Sequence, residues 1–352
     1  MVVNPSTSRL KDSALRVWTA LLLGFIIFTG LLRLSADGGL RISVRGVSVS
    51  FDSTPSGSGK SFGCVSHAHS DHVAVGGRIM ATRETIALMR NVWGINGFFK
   101  QVEFGDSVKL DENLSVKVLS SGHVLGSAMF QVVGDDVNIV YTGDINTVET
   151  LTTKPADRVD AEVLVIESTY GHPDYVFPPR TETTGRILKW VSQTIAEGAI
   201  PAFKTYSIGK SQELIKLFNE YTRLPVVVGR TVARASQTYV ENGVKLDFIP
   251  VATAEAASTL LSGEAVYIDS QTRLIPSHRK VKWAVVTGWA LHRVPGGYDA
   301  GFPLSSHADY RGLLSYVEEN KPKKIYVTHG FSRYFAATLR RRGYDAFSLD
   351  GT

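Results

Sequence analysis

Cysteine is almost absent from this chain, which has one, Cys64, among 352 residues. A single cysteine excludes both an intramolecular disulfide and a cysteine-rich zinc finger. Cys64 falls in the apolar stretch 61–65, where we expect a buried structural thiol. A metal site in this protein must therefore rely on histidine and carboxylate side chains.

A hydrophobic run of full membrane-spanning length is also missing. The most apolar stretch, residues 17–32, has 16 residues, whereas a membrane-spanning helix needs about 20. Arg9, Lys11 and Arg16 precede it, as in a signal anchor, but no A-x-A cleavage site follows. Three interpretations of residues 1–33 stay open: a short membrane anchor through residues 17–32, a non-native extension, or a helix packed on the domain.

Acidic residues are slightly outnumbered, with 33 Asp and Glu against 38 Lys and Arg, which gives a net charge of +5. This excess favours a polyanionic partner such as nucleic acid without establishing one. The hydrophobic fraction of 43% is that of an ordinary globular protein.

Histidine, in contrast to cysteine, is concentrated in one short segment of the chain. Residues 67–72 read His-Ala-His-Ser-Asp-His and place four potential metal ligands within six positions. A short strand is predicted before them at 61–65 and a helix after them at 82–89, so they occupy a strand-to-helix loop. His67 and His69 alternate onto one side, and Asp71 and His72 turn toward a neighbouring point. This pattern suits two adjacent metal ions, for which imidazole and carboxylate are suitable ligands.

Further histidine and carboxylate motifs follow in order along the chain. His123 stands in Ser-Gly-His-Val-Leu-Gly-Ser, Asp144 ends Tyr-Thr-Gly-Asp, and Asp52 ends Val-Ser-Val-Ser-Phe-Asp. Together with residues 67–72, these motifs resemble those of the metallo-β-lactamase superfamily. The resemblance implies that His123 and Asp144 bind metal, with Asp144 bridging two ions, and that Asp52 supports the ligands from the second shell.

Three later motifs narrow the resemblance. Glu167 lies in Ile-Glu-Ser-Thr-Tyr-Gly, His307 in Leu-Ser-Ser-His-Ala-Asp, and His329 in Tyr-Val-Thr-His-Gly. They resemble motifs A, B and C of the β-CASP nucleases. Within that group the chain is similar to archaeal and bacterial relatives of the mRNA 3′-end processing endonuclease and to DNA ligase-associated exonucleases. The likeness extends from about residue 38 to the C-terminus.

The resemblance also implies a two-metal centre. The expected cofactor is a pair of Zn²⁺ ions, with Mn²⁺ as the alternative. One ion would take His67, His69 and His123, the other would take Asp71, His72 and His329, and Asp144 would bridge them. The catalytic residues would be Asp71, Glu167 and His307, where His307 is the general acid and Glu167 holds and polarises it.

The pattern of apolar residues changes near residue 180. Before it, alternating stretches such as 40–52, 114–119 and 128–133 predict a strand-rich layer. After it, strands alternate with helices, as at 184–197 and 199–203, which indicates a parallel sheet. The pattern itself predicts an α/β (α+β) protein, and the resemblance implies that its two parts are a metallo-β-lactamase αββα sandwich and a small inserted β-CASP α/β domain. The expected boundaries are 1–33 for the N-terminal segment, 34–180 and 296–352 for the sandwich, and 181–295 for the insert.

Substrate contacts are predicted at the start of a helix in the insert. The segment 204–210 ends in Gly-Lys and leads into Ser211, so Lys204, Lys210 and Ser211 are candidate phosphate ligands. Plain helix capping is the alternative for this segment. Trp289 either stacks on a base or packs a domain interface, and packing is preferred.

The sequence as a whole predicts a two-metal-dependent cytoplasmic nuclease that hydrolyses RNA during processing or decay, membrane-anchored only if residues 17–32 are a native anchor. A DNA exonuclease of the ligase-associated type, a small-molecule metallo-hydrolase and a non-enzymatic RNA-binding relative are the alternatives. RNA is the expected partner, DNA is the alternative, and a homodimer is left open.

Overall fold

The computed structural model describes residues 27–29, 32–35, 40–56, 60–272, 275 and 278–349. Residues 1–26, on which most of the proposed anchor falls, lie outside this part of the chain. The last residues of the apolar run do not form a helix. Ile27–Thr29 (β1) and Leu32–Ser35 (β2) pair as antiparallel strands, and β2 pairs with the next strand, Leu40–Val44 (β3). The first sheet thus begins before residue 40, where we expected its first strand.

The first sheet has seven strands in sequential order within the described residues. Its first four strands are antiparallel and its last four are parallel, with one strand shared. A turn at Arg45-Gly46, both with positive φ, joins β3 to the next strand. The strands after β3 are β4 Val47–Phe51, β5 Lys60–Cys64, β6 Ile79–Thr82 and β7 Phe99–Val102.

The second sheet packs face to face on the first. Its order is β20-β19-β12-β11-β10-β9-β8. Leu40, Ile42 and Val44 are buried on alternate positions of β3 and join Val118 and Phe130 in the core between the sheets. Its strands are β8 Ser107–Lys109, β9 Leu114–Ser120, β10 Ala128–Gly134, β11 Val137–Tyr141, β12 Val163–Glu167, β19 Lys324–Thr328 and β20 Asp345–Ser348.

Helices cover the outer face of each sheet. Arg83–Trp93 (α1) packs on the first sheet through Ile86, Leu88 and Met89. Thr82 caps its start by accepting from Thr85 N, and Gly94 ends it in the left-handed conformation. Tyr310–Asn320 and Ser332–Arg341, named α6 and α7 below, pack on the second sheet. The predicted αββα sandwich is confirmed.

The insert contains the third sheet, which is wholly parallel, in the order β15-β14-β16-β13-β17-β18. Buried apolar clusters lie on both of its faces, as expected for a parallel sheet between helices. This sheet ends at Phe302, so the inserted fold continues past the expected end at 295. Its helices are α2 Arg180–Ala196, α3 Lys210–Tyr221, α4 Arg230–Glu241 and α5 Ala254–Ser262, and its strands are β13 Ile200–Lys204, β14 Val226–Val228, β15 Ile249–Pro250, β16 Val266–Asp269, β17 Val281–Val286 and β18 Ala300–Phe302.

None of the helices in the described part of the chain is both long and apolar enough to cross a membrane.

Candidate metal centre

The candidate ligands lie at one edge of the sandwich. β11, β12 and β19 run parallel, so their carboxyl ends meet there. Asp144 follows β11, Glu167 is the last residue of β12, and His329 follows β19. Residues 67–72 follow the parallel strand β5 of the facing sheet. Short loops at the ends of buried strands thus bring together motifs that are far apart in the sequence.

Four of the predicted ligands converge. One side-chain ligand atom from each of His67, His69, His123 and Asp144 lies within 4.8 Å of all the others. His67 Nε2 and His123 Nε2 are 3.4 Å and 3.5 Å from Asp144 Oδ2. His69 Nδ1 is 3.0 Å from His67 Nε2 and 3.2 Å from His123 Nε2. Three imidazoles and one carboxylate form a donor set that suits zinc.

Hydrogen bonds from outside the cluster fix which nitrogens face it. His69 Nε2 lies 3.2 Å from the carbonyl oxygen of Ile208, and His123 Nδ1 lies 2.8 Å from that of Ser306. A carbonyl oxygen only accepts, so each of these nitrogens carries the proton. The opposite nitrogens, His69 Nδ1 and His123 Nε2, therefore present lone pairs to the centre, which is how metal-binding histidines are oriented.

His67 is oriented in the same way. The Ser66 hydroxyl donates to Asp52 Oδ2 at 2.7 Å, so its oxygen accepts from His67 Nδ1 at 2.9 Å. His67 Nε2 is then a third lone pair facing those of His69 and His123. Lone pairs only about 3 Å apart repel one another unless they share a cation, so the chemistry of this donor set fits a bound metal ion.

The protonation of these three histidines agrees with that geometry. Burial, followed by repulsion from neighbouring cationic groups, lowers the pKa of His69 to about 3 and holds the pKa values of His67 and His123 well below the usual range. The neutral imidazole is the form that binds metal.

Asp52 sits behind the ligands and accepts four hydrogen bonds. Its donors are Ser66 N at 2.6 Å, Ser66 Oγ, His72 Nδ1 at 2.8 Å and the hydroxyl of Tyr141 at 2.8 Å. Its φ of 49° places it in the left-handed region, which turns the carboxylate back under the loop. Asp52 thereby holds both the strand end and the His72 ring.

Of the remaining predicted ligands, His72 lies near the other oxygen of Asp144, and Asp71 and His329 lie next to His72. His72 Nε2 lies 3.6 Å from Asp144 Oδ1 and 3.8 Å from Asp71 Oδ2, and the His329 ring is 5.7 Å from that of His72. Burial lowers the pKa of His72, but Asp144 and Asp52 raise it more, to about 10. The structure therefore places Asp71, His72 and His329 side by side but less tightly than the first four ligands.

Glu167 and His307 form a pair beside Asp144. His307 Nδ1 is 2.8 Å from Glu167 Oε1, and His307 Nε2 is 3.9 Å from Asp144 Oδ2. Burial raises the pKa of Glu167, but the charge of His307 and hydrogen bonds from His307 and Thr169 outweigh it and bring it to about 2. Burial also lowers the pKa of His307, and the carboxylates of Glu167 and Asp144 raise it above its usual value.

A cleft of about 240 Å³ opens onto these residues. Its walls include Asp71, His72, Asp144, His307 and His329. They also include side chains that the sequence did not assign to the site, namely Trp93, Thr169, Tyr170 and Tyr206. Tyr206 lies within the predicted phosphate-binding segment 204–210, which was a usable signal, whereas nothing in the sequence around Trp93 marks that residue.

The predicted substrate contacts have different outcomes. Lys210 lines the cleft, and its ammonium lies 4.6 Å from the ring centre of Tyr206. Ser211 does not face the cleft, because it is fully buried and donates to Tyr206 O at 2.6 Å, closing the turn before α3. Lys204 ends β13 and does not appear among the described residues that line the cleft. The role of Ser211 as a substrate ligand stays a prediction, since its hydroxyl contacts the backbone and not the cleft.

A histidine and aspartate cluster at the strand ends of an αββα sandwich defines a metallo-hydrolase. Residues 301–349 match the Zn-dependent metallo-hydrolase RNA specificity domain. A solved protein of unknown function from Enterococcus faecalis has the same fold, with a TM-score of 0.60 and 12% identity over 87% of this chain and 92% of that one.

Curated relatives agree with this class. A "Probable DNA ligase" of Opitutus terrae is 35% identical over 297 residues, which are 81% of this chain and 28% of that protein. An "RNase J-like protein" of Methanocaldococcus jannaschii is 26% identical over 78% of this chain and 83% of its own length. "RNase aCSPSF2" of Saccharolobus solfataricus is 28% identical over 44% of this chain and 37% of its own length. The chain belongs to the β-CASP branch of the metallo-β-lactamase superfamily.

Proposed function

We propose that this protein is a metal-dependent nuclease that hydrolyses phosphodiester bonds of RNA. The observation that carries the proposal is the position of the His307–Glu167 pair beside Asp144, in a cleft that also exposes the ligand cluster. A small-molecule hydrolase would also need the metal ligands, so the ligands alone do not favour a nuclease. A largely buried proton donor directed at the same cleft does, because it suits a reaction with a poor leaving group.

Two Zn²⁺ ions are the proposed cofactors. His67, His69 and His123 would hold one and Asp71, His72 and His329 the other, with Asp144 shared between them. Bound zinc supplies Lewis acidity toward water and the phosphate oxygens.

The chain's own residues supply the rest of the chemistry. Glu167 is held ionised by its hydrogen bonds and keeps the His307 imidazole both oriented and protonated. His307 Nε2 then faces Asp144 and the cleft, where it can give its proton to the leaving oxygen. Lys210 contributes a positive charge to the wall of the cleft, where it can bind a phosphate of the substrate.

Relatives named as RNases and the match to an RNA specificity domain support RNA as the substrate. DNA is the second candidate, because the relative that is 35% identical carries the name of a DNA ligase and matches 81% of this chain. The two candidates share the same catalytic residues, so the site geometry does not separate them.

The deciding experiment offers the full chain 5′-labelled single-stranded RNA and DNA of one sequence, with and without added Zn²⁺. The control is Asp71→Ala, which removes one proposed ligand while leaving an exposed position that the fold does not need. Cleavage of RNA that disappears in the control supports the proposal. Cleavage of DNA alone would support DNA as the substrate instead. If neither RNA nor DNA is cleaved, the proposed function is contradicted.

A further inference from the structure

A continuous row of aromatic rings leads from the catalytic cleft to the surface. It starts at Tyr170, whose ring lies 5.9 Å from that of His307 and 4.8 Å from that of Trp289. Beyond Trp289, each ring lies between 4.2 and 6.1 Å from the next. We call this row the aromatic strip, and its members are Tyr170, Trp289, Tyr175, Phe331, His172 and Tyr334.

Three separate segments build the strip. Tyr170, His172 and Tyr175 follow β12, Trp289 lies in the 3₁₀ turn Gly288–Leu291 of the insert, and Phe331 and Tyr334 lie at the start of α7. The ring of Tyr175, from the first segment, contacts a ring of each of the other two segments. Its centre lies 5.0 Å from that of Trp289 and 5.4 Å from that of Phe331. The strip thus crosses from the insert to the sandwich without a break.

The exposure of two of its rings distinguishes the strip from an ordinary packed interface, although Tyr170 at its inner end is buried. Trp289 is 41% exposed and Tyr334 is 37% exposed. Neither residue is a member of the buried apolar clusters formed by the described residues. Exposed, closely spaced rings that continue a cleft are what unpaired bases stack on in proteins that bind single strands.

Charge around the outer end of the strip agrees with a polyanionic ligand. The guanidinium of Arg341 lies 5.9 Å from the ring centre of Tyr334, and Arg333 is exposed on the same helix. One acidic group, Asp174, contacts the strip in the described part of the chain, with Oδ2 at 3.3 Å from His172 Nδ1. The basic groups therefore outnumber the acidic one where a phosphate backbone would run.

We propose that the aromatic strip binds the bases of a single-stranded nucleic acid as the strand leaves the catalytic cleft. This inference rests on the proposed nuclease function and adds that the substrate must be unpaired beyond the cleft, since bases within a duplex are already stacked on one another. Trp289 then contacts a base, in place of the packing role that the sequence favoured.

The test is binding by fluorescence polarisation with two labelled strands of equal length and charge. One carries bases throughout, and the other is abasic at the positions outside the cleft. The full chain carries His307→Ala in every sample so that the strand is not consumed. Tyr334→Ala and Trp289→Ala are expected to weaken binding of the base-containing strand by about 5- to 100-fold each. Binding of the abasic strand is expected to change by less than about threefold.

Two further variants make the result specific. Tyr334→Phe keeps the ring and is expected to restore binding. Tyr221→Ala removes a ring that is 64% exposed at the far end of α3 and is expected to change nothing. Equal losses for both strands would show a charge contact rather than stacking, and unchanged binding would show a packing role, so either result overturns the inference. Because binding is read without cleavage, failure of wild-type hydrolysis contradicts only the proposed function.

Discussion

His307 Nδ1 and Glu167 Oε1 lie 2.8 Å apart in the cleft, with the other nitrogen of His307 3.9 Å from Asp144. Glu167 also accepts from the backbone at Ile145 N and Thr169 N. With its carboxylate anchored by the main chain, Glu167 fixes the imidazole in one orientation. This arrangement gives the His307 imidazole a defined direction, as the proposed role of proton donor requires.

Replacing His307 by alanine is expected to remove the proton donor and leave the ligand cluster in place. We expect kcat to fall by about 10²- to 10⁴-fold, the usual contribution of general acid catalysis. The measurement is kcat on a labelled single strand, with bound zinc counted by elemental analysis of the same sample. Wild-type turnover, or loss of zinc together with activity, would contradict the assigned role.

Glu167→Gln is expected to change the pH profile rather than only the rate. The carboxylate of Glu167 is the largest of the influences that raise the pKa of His307. Removing its charge lowers that pKa, so His307 loses its proton at lower pH and the alkaline limb of kcat moves toward acid. A pH–rate profile from 5.5 to 9.5 reads the shift, and an unmoved limb would separate His307 from the step that controls the profile.

The lowered pKa of Lys210 predicts a second effect of pH, on the affinity for substrate. Burial lowers its pKa to about 8, although Glu213 and Asp144 raise it in part. The ammonium therefore loses its charge as the pH rises through about 8, and KM for an anionic substrate is expected to rise over the same range. Lys210→Arg keeps the charge and is expected to flatten this dependence, whereas Lys210→Met is expected to give the high KM at every pH. An identical KM profile in all three proteins would exclude the contact.

Tyr141→Phe is expected to weaken metal binding through its effect on Asp52. It removes one of the four donors to Asp52, which in turn holds the His72 ring. We expect zinc affinity to fall by about 10-fold, in the range usual for loss of an outer hydrogen bond. Tyr316→Phe is the matched control, because it removes a buried hydroxyl that donates to Asp157 O away from the site. Competition with a zinc-binding dye measures both, and equal affinities in the two variants would contradict the prediction.

Removal of metal is expected to lower stability as well as activity. His67, His69 and His123 direct lone pairs at one another, so without a cation the folded protein keeps their repulsion. We expect dialysis against a chelator to abolish hydrolysis and lower Tm, and added Zn²⁺ to restore both by mass action. Thermal unfolding followed with increasing Zn²⁺ checks this, and a Tm independent of zinc would argue against a filled site in the folded protein.

The histidines and carboxylates of the site were accessible from the sequence because ligand chemistry restricts residue type and the motifs are short. The αββα sandwich could be predicted from strand periodicity and the motif order for the same reason. Asp52, which holds His72, was also accessible from its motif, whereas the groups that orient His69 and His123 were not. Ile208 and Ser306 act through backbone carbonyls, which any residue would supply, so no side chain marks them.

The differences between expectation and structure have local physical causes. Ser211 has the residue type of a phosphate ligand, but a serine near a helix start also bonds its own backbone, and here it does. The apolar residues up to Leu32 looked helical because they form an uninterrupted run, yet their last part forms strands at a sheet edge next to β3. A continuous apolar run does not by itself distinguish a strand from a buried helix.

The carbonyls that orient His69 and His123 come from the insert and from the segment that returns after it. Residues 67–144 contain all four converging ligands, yet two of those ligands take their orientation from segments that lie beyond residue 200. The geometry of the cluster therefore depends on contacts between parts of the chain that are far apart in the sequence. We expect a chain that ends before Ser306 to lose the hydrogen bond of His123 Nδ1 and to bind metal more weakly than the full chain.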